Sequence, residues 1–214
     1  MDSMFSCLSN TAGGHIEMTD DILTVTHKQG EYGGPKGMNI RFKPKSMPCE
    51  EGTLRYKVML PKEFDIAKGG KLPGLCGGCQ CGHTGFATRL MWRRGLDGEV
   101  YCHGPKQSSL YYKQNWIYDE KYGDSLARGA YKFKTDEWNA IELYLKLNDP
   151  QHCNGTIRLT VNGSIVFNYT EYVFRECSHI KIDTILFVMF YGGSNESWAP
   201  TKESKAYFKD IDFQ

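Results

Sequence analysis

Residues 86–103, FATRLMWRRGLDGEVYCH, place an arginine, a tyrosine and a histidine where a β-hairpin would bring them together. At period two, Ala87, Arg89 and Met91 share one face of the first strand, and Phe86, Thr88, Leu90 and Trp92 share the other. On the second strand Tyr101 and His103 project together, away from Val100 and Cys102. A turn at Gly95-Leu96-Asp97-Gly98, centred on Leu96, sets Arg89 opposite His103 and Met91 opposite Tyr101. A guanidinium, a phenol and an imidazole on one face suit proton transfer beside an acidic substrate. Arginine pairs with a carboxylate through two hydrogen bonds, a nearby cation favours the phenolate, and imidazole titrates near neutrality. The same spacing also describes side chains that only decorate a solvated sheet face.

Upstream, residues 68–78 read KGGKLPGLCGG, a glycine-dense loop with two lysines that permits close backbone approach to a ligand. It lacks the spacing of a phosphate-binding loop and has no strand-to-helix context, so a sugar-facing loop is the better reading. Cys76, Cys79, Cys81 and His83 are ligand types that suit zinc, but their spacing is tight for a structural site, and disulfide staples are the simpler expectation. Tyr111, Tyr112, Trp116, Tyr118, Tyr122 and Tyr131 offer stacking platforms for sugar rings, although about half of such a set belongs in a core.

The elements that must position these residues are strands. In 53–60, Leu54, Tyr56, Val58 and Leu60 alternate with Thr53, Arg55 and Lys57; in 138–147, Ile141, Leu143, Leu145 and Leu147 alternate with Glu142, Tyr144 and Lys146. Ile157, Leu159 and Val161 repeat the pattern, and Asn162-Gly163 between TIRLTV and SIVFNY is a type I′ hairpin signal. Further strands are expected at 22–27, 38–43, 86–93, 98–103, 130–134, 181–190 and 206–213. No window sustains an apolar stripe at helical spacing. The expected fold is all-β, a jelly-roll sandwich of two antiparallel sheets, with an irregular N-terminal segment over 1–19 and a single domain over 20–214.

The chain has 214 residues, with 26 Lys and Arg against 25 Asp and Glu, so its net charge of +1 provides no broad basic field for nucleic acid. Its longest apolar stretch, 185–191, is far below the roughly 20 residues a spanning helix needs, so no membrane span is expected. The first twenty residues show no signal-peptide pattern. Eight cysteines and four Asn-x-Ser/Thr sequons, at Asn154, Asn162, Asn168 and Asn195, nevertheless point outside the cell, with a leader already removed.

Read together, KGGKLPGLCGG, FATRLMWR, GEVYCHGP at 98–105, YGDSLARGAYKF at 122–133, LNDPQHCNGTIRLTVNG at 147–163, FVMFYGGSNESWAP at 187–200 and AYFKDIDF at 206–213 resemble polysaccharide lyase family 14. The resemblance spans about 54–213. It implies a β-jelly roll that cleaves a 1,4-linked polyuronate, such as alginate or glucuronan, by β-elimination, with no cofactor and no metal. In that family a lysine, a serine and an arginine, and two tyrosines two residues apart line the cleft. The resemblance maps the lysine to Lys71, the arginine to Arg89 and the first tyrosine to Tyr101, with Arg128 and Tyr122 as further substrate contacts. Two positions depart from the pattern: the serine is Ala87 and the second tyrosine is His103. The provisional roles are charge neutralisation by Lys71 or Arg89, with His103 as base and Tyr101 as acid, or Tyr101 in both roles. Two other readings stay open: a non-catalytic carbohydrate-binding relative, and an enzyme performing elimination on a different, smaller anionic substrate.

Overall fold

The structure, a computed structural model, describes residues 15–78, 84–107, 116 and 122–214. Its strands, numbered in chain order, are β1 (His15–Thr19), β2 (Ile22–His27), β3 (Met38–Phe42), β4 (Glu51–Met59), β5 (Gly69–Gly78), β6 (Gly85–Arg93) and β7 (Asp97–His103). They continue as β8 (Asp124–Lys132), β9 (Asn139–Lys146), β10 (Gly155–Val161), β11 (Ser164–Tyr172), β12 (Thr184–Tyr191) and β13 (Ser204–Phe213). They form a seven-stranded sheet, β1-β2-β13-β4-β9-β10-β11, and a six-stranded sheet, β3-β12-β5-β6-β7-β8, with every pairing antiparallel. This is the expected two-sheet jelly roll. No helix among the described residues is long and apolar enough to cross a membrane.

Alternation explains the core. Leu54, Leu143 and Leu159 stand in one register row of the large sheet and are fully buried, as are Val100, Ile185 and Phe187 of the small sheet. Phe187 meets Tyr56 and Phe208 of the opposing sheet at ring-centroid distances of 6.4 and 5.2 Å. The buried Tyr56 hydroxyl donates across the sandwich to the Pro73 carbonyl at 3.4 Å. The β10–β11 hairpin turns on Asn162 and Gly163, both with positive φ, as its sequence requires.

Two segments differ from expectation. His15–Thr19, inside the stretch read as irregular, forms an edge strand on β2. The glycine-dense stretch read as a loop is β5, a central strand of the small sheet. Its glycines serve close packing within a strand: a Cβ at Gly74 would lie 2.0 Å from the Thr88 carbonyl oxygen, and one at Gly70 would lie 2.1 Å from the Trp92 ring. Pro73 falls where the register with β6 slips by one residue, the place in a strand where a missing N–H is tolerated.

The expected disulfide framework is not formed by the described cysteines. Cys49, Cys76, Cys102, Cys153 and Cys177 are free thiols. Cys102 belongs to the core between the sheets, whereas Cys76 joins a separate apolar cluster with Ala87, Leu186 and Val188 on the other face of the small sheet. Cys79, Cys81 and His83 lie outside the described residues, as do Tyr111, Tyr112 and Tyr118.

Candidate active site

The site is assembled on the face of the small sheet that points away from the core. Strands β5, β6 and β7 run side by side, and period two brings Lys71 from β5, Arg89, Met91 and Arg93 from β6, and Glu99, Tyr101 and His103 from β7 to that face. The expected faces are correct and the expected register is not. Arg89 pairs with Tyr101, Ala87 with His103 and Met91 with Glu99, because the turn is centred on Gly95 rather than Leu96, with positive φ at both residues. A one-residue change in the turn centre moves the register by two, which keeps every side chain on its face. The two departures from the family pattern, Ala87 and His103, therefore face each other as one cross-strand pair.

A cleft of about 540 Å³ opens on this face. Lys71, Tyr101, His103 and Tyr122 line it. Lys71 Nζ sits 3.0 Å from the Tyr101 ring centroid and 2.9 Å from Met91 Sδ. Burial, with Arg89 and Arg93 nearby, holds its pKa well below the usual lysine range; Glu99 opposes that shift. The Tyr101 and His103 rings meet edge-on at 5.2 Å. Burial first, then Arg89 and Lys71, push His103 down to about 4, so its imidazole is neutral at neutral pH.

Arg89 does not line the cleft itself. It stands in register beside Tyr101, and its buried Nε has no hydrogen-bond partner among the described residues. Arg128, on the neighbouring β8, is not brought to the cleft wall either; its Nε lies 4.0 Å from Glu99 Oε2 on β7. Of the aromatic run, Tyr131 is core and Trp116 packs against Phe167 and Tyr169. Among the described residues no group of His, Cys, Asp or Glu is arranged to hold a metal, and burial pushes the Cys76 thiol up to about 12, unlike a thiolate ligand.

Sequence reasoning passed over Arg93, Glu99, Ser125 and Trp198. Glu99 is fully buried. Arg93 donates to its Oε1 from Nε at 2.8 Å and from Nη2 at 2.6 Å, and Ser125 Oγ donates to Oε2 at 2.5 Å. The alternation that selected Arg89 and Tyr101 extends to Arg93, four residues further along β6, and to Glu99, two residues before Tyr101 on β7. Trp198 lies outside any strand, and no local pattern could have placed it in the cleft.

The described residues thus form a two-sheet antiparallel jelly roll with a cationic, aromatic cleft across one sheet. The chain belongs to the polysaccharide lyase 14 family, whose model matches residues 16–211. It superposes on the marine alginate lyase of Aplysia kurodai with a TM-score of 0.82 and 25% identity, covering 94% of this chain and 87% of that one. An alginate lyase from Chlorella virus shares the fold at a TM-score of 0.80 and 22% identity, over 96% and 90% of the two chains. Exolysin of Paramecium bursaria Chlorella virus 1 is 24% identical over 212 residues, 86% of this chain; the chain spans about a third (32%) of that relative's length.

Proposed function

We propose that this chain is a polyuronate lyase, cleaving a 1,4-linked acidic polysaccharide such as alginate or glucuronan by β-elimination. The observation that carries the reading is the Lys71 amine, displaced towards its neutral form, against the Tyr101 ring among Arg89 and Arg93. Elimination removes the weakly acidic proton on C5 of a uronate, so the site must offset the carboxylate's charge and the enolate-like charge that develops. Arg89, with its unsatisfied Nε beside Tyr101, and Arg93 are the groups for that charge.

The base must be stronger than the sequence reading supposed. At about 4, His103 is a poor proton acceptor from carbon, whereas a neutral Lys71 amine is a good one. Lys71 takes the C5 proton, the C4–O bond breaks as the C4–C5 double bond forms, and the Tyr101 hydroxyl protonates the leaving oxygen. The proton on Lys71 then restores the phenol, and no water is consumed. His103 serves as a neutral hydrogen-bonding wall.

The reaction leaves an unsaturated sugar end that absorbs in the ultraviolet. Alginate, polymannuronate, polyguluronate and glucuronan are incubated in turn with the wild type and with Tyr101→Phe. Turnover on at least one polymer is expected, falling roughly 10²–10⁴-fold in the variant. No turnover on any polymer, with binding intact, would replace the lyase with a carbohydrate-binding protein, the reading that the Ala87–His103 pair favours.

We also infer that the protein acts outside the cell. All four sequon asparagines are exposed, which supports glycosylation on a secretory route. Mass spectrometry of protein secreted from a eukaryotic host, before and after glycan release, tests it; unmodified asparagines at all four sites would count against it.

A further inference from the structure

Trp198 sits in a single 3-10 turn, Glu196–Trp198, capped by Asn195, whose Oδ1 accepts from Ser197 N at 3.1 Å and from Ser197 Oγ at 2.5 Å. Lys68 Nζ donates to the same Ser197 Oγ at 2.6 Å. The indole rests on Gly193: a Cβ there would lie 2.1 Å from the ring, and Gly193 holds a φ of +91 that disfavours other residues. Unlike Trp92, which is fully buried in the core, Trp198 is half-buried and faces the cleft. The segment therefore presents an aromatic plane to the cleft rather than tucking one into the core.

Two cations flank that plane. Lys68 Nζ lies 6.0 Å from the ring centroid, and the Arg93 guanidinium lies 5.9 Å from it and 5.9 Å from the Tyr101 ring. Arg93 thus stands between the reacting end of the cleft and Trp198, held by the buried Glu99 through Nε and Nη2; Nη1 takes no part in that pairing. Arg93 and His103 mark opposite ends of the site, because Arg93 and Ala87, the partner of His103, are six positions apart on β6, roughly 20 Å of strand. That span exceeds one sugar ring.

We propose that Trp198, Arg93 and Lys68 form a second subsite for a uronate unit. The indole stacks on the sugar's C–H face, the two cations take its carboxylate, and Glu99 is a positioning residue that fixes Arg93. The inference rests on the reading of this cleft as one for an acidic polysaccharide, and it adds that recognition extends at least one unit beyond the reacting pair. An uncharged sugar would satisfy the indole but bring no carboxylate to Lys68 or to the Arg93 edge that Glu99 leaves unused, so the subsite selects for charge.

The test is calorimetric titration in the Tyr101→Phe background, which binds without turning over, using mannuronate and guluronate oligomers from dimer to hexamer and cellohexaose as the uncharged probe. Trp198→Ala is expected to weaken the tighter uronate hexamer by about tenfold or more, and to shift dimer affinity by less than about twofold. Trp198→Phe regains part of the loss, which separates a missing platform from a disordered loop. Glu99→Gln, which keeps the shape and loosens Arg93, weakens the hexamer severalfold, and cellohexaose binds at least about tenfold more weakly than the uronate hexamer. Equal hexamer affinity with and without Trp198, or cellohexaose binding as tightly as uronate, overturns the subsite while leaving the lyase reading in place. No binding of any uronate oligomer overturns both.

Discussion

Lys71 Nζ has a thioether and an aromatic face for company, and neither is a strong hydrogen-bond acceptor for an ammonium. Its displacement towards the neutral amine follows first from burial and then from the two guanidinium groups of Arg89 and Arg93 nearby. Lys71→Arg preserves size and charge but cannot lose its proton, so turnover is expected to fall at least about 100-fold while oligomer binding persists. In the wild type, initial rate should climb with pH through a single ionisation whose midpoint lies below 10.5. Stability carries its own signature. Burial raises Asp124 to about 6, partly offset by the bond from the Tyr172 hydroxyl, so its contribution is fully present below about pH 4 and is lost as pH rises through 6. His103, lowered to about 4, acts in the opposite sense: its contribution is present above about pH 6.5 and fades as pH falls towards 4. The two slopes oppose each other in the wild type. Asp124→Asn should stabilise the fold at pH 7 by up to about 3 kcal/mol and steepen its loss of stability in acid, and His103→Gln should flatten that loss. Thermal melts from pH 4 to 8 read both, and parallel curves for all three proteins would refute the assignment.

At the scale of elements, β5 shows how one strand can be built from residues that ordinarily break strands. Gly70, Gly74 and Gly77 are small because neighbouring backbone or ring atoms occupy the space a Cβ would need. Gly74→Ala pushes into the Thr88 carbonyl and is expected to cost at least about 3 kcal/mol, and to lower activity, since Arg89 is its register partner. Gly163 is the contrasting case. No atom lies within 4 Å of a Cβ there, yet its φ of +79 is strained for alanine, so Gly163→Ala should cost only about 1 kcal/mol and leave turnover alone. Denaturant unfolding of the two variants measures the difference between blocked space and backbone strain.

Across the whole molecule the net charge of +1 hides a local imbalance: Arg89 and Arg93 stand on the cleft-bearing face of the small sheet and Lys68 beside Trp198, with one buried carboxylate, Glu99, paired to Arg93. A polyanion should therefore be drawn in by a local field that salt screens, and KM for the polymer should rise about fivefold or more between low and high ionic strength, with kcat changing much less. A KM indifferent to salt would mean that the cations serve structure and not substrate.

By itself the amino-acid sequence determined the class of fold and the face on which the chemistry sits. Alternation in β4 and β9 admits one buried side, period two in β6 and β7 sorts their side chains onto two faces, and Asn162-Gly163 admits one kind of turn. Arg89, Tyr101 and His103 were legible for the same reason, as was their common side of the sheet; Lys71 was legible only through the family resemblance, because the residues of its strand read as a loop. Register was not, because it depends on whether Gly95 or Leu96 centres a turn, and both take positive φ. That β5 is a strand at all was settled by its neighbours: hydrogen bonding to β6 and β12 on both sides outweighs the weak strand preference of glycine. Tertiary structure alone brought Trp198 from a turn after β12 to the side of Arg93 on β6, more than a hundred residues apart in the chain, because that proximity arises only when the sheet has formed and the glycines beneath the indole let it approach.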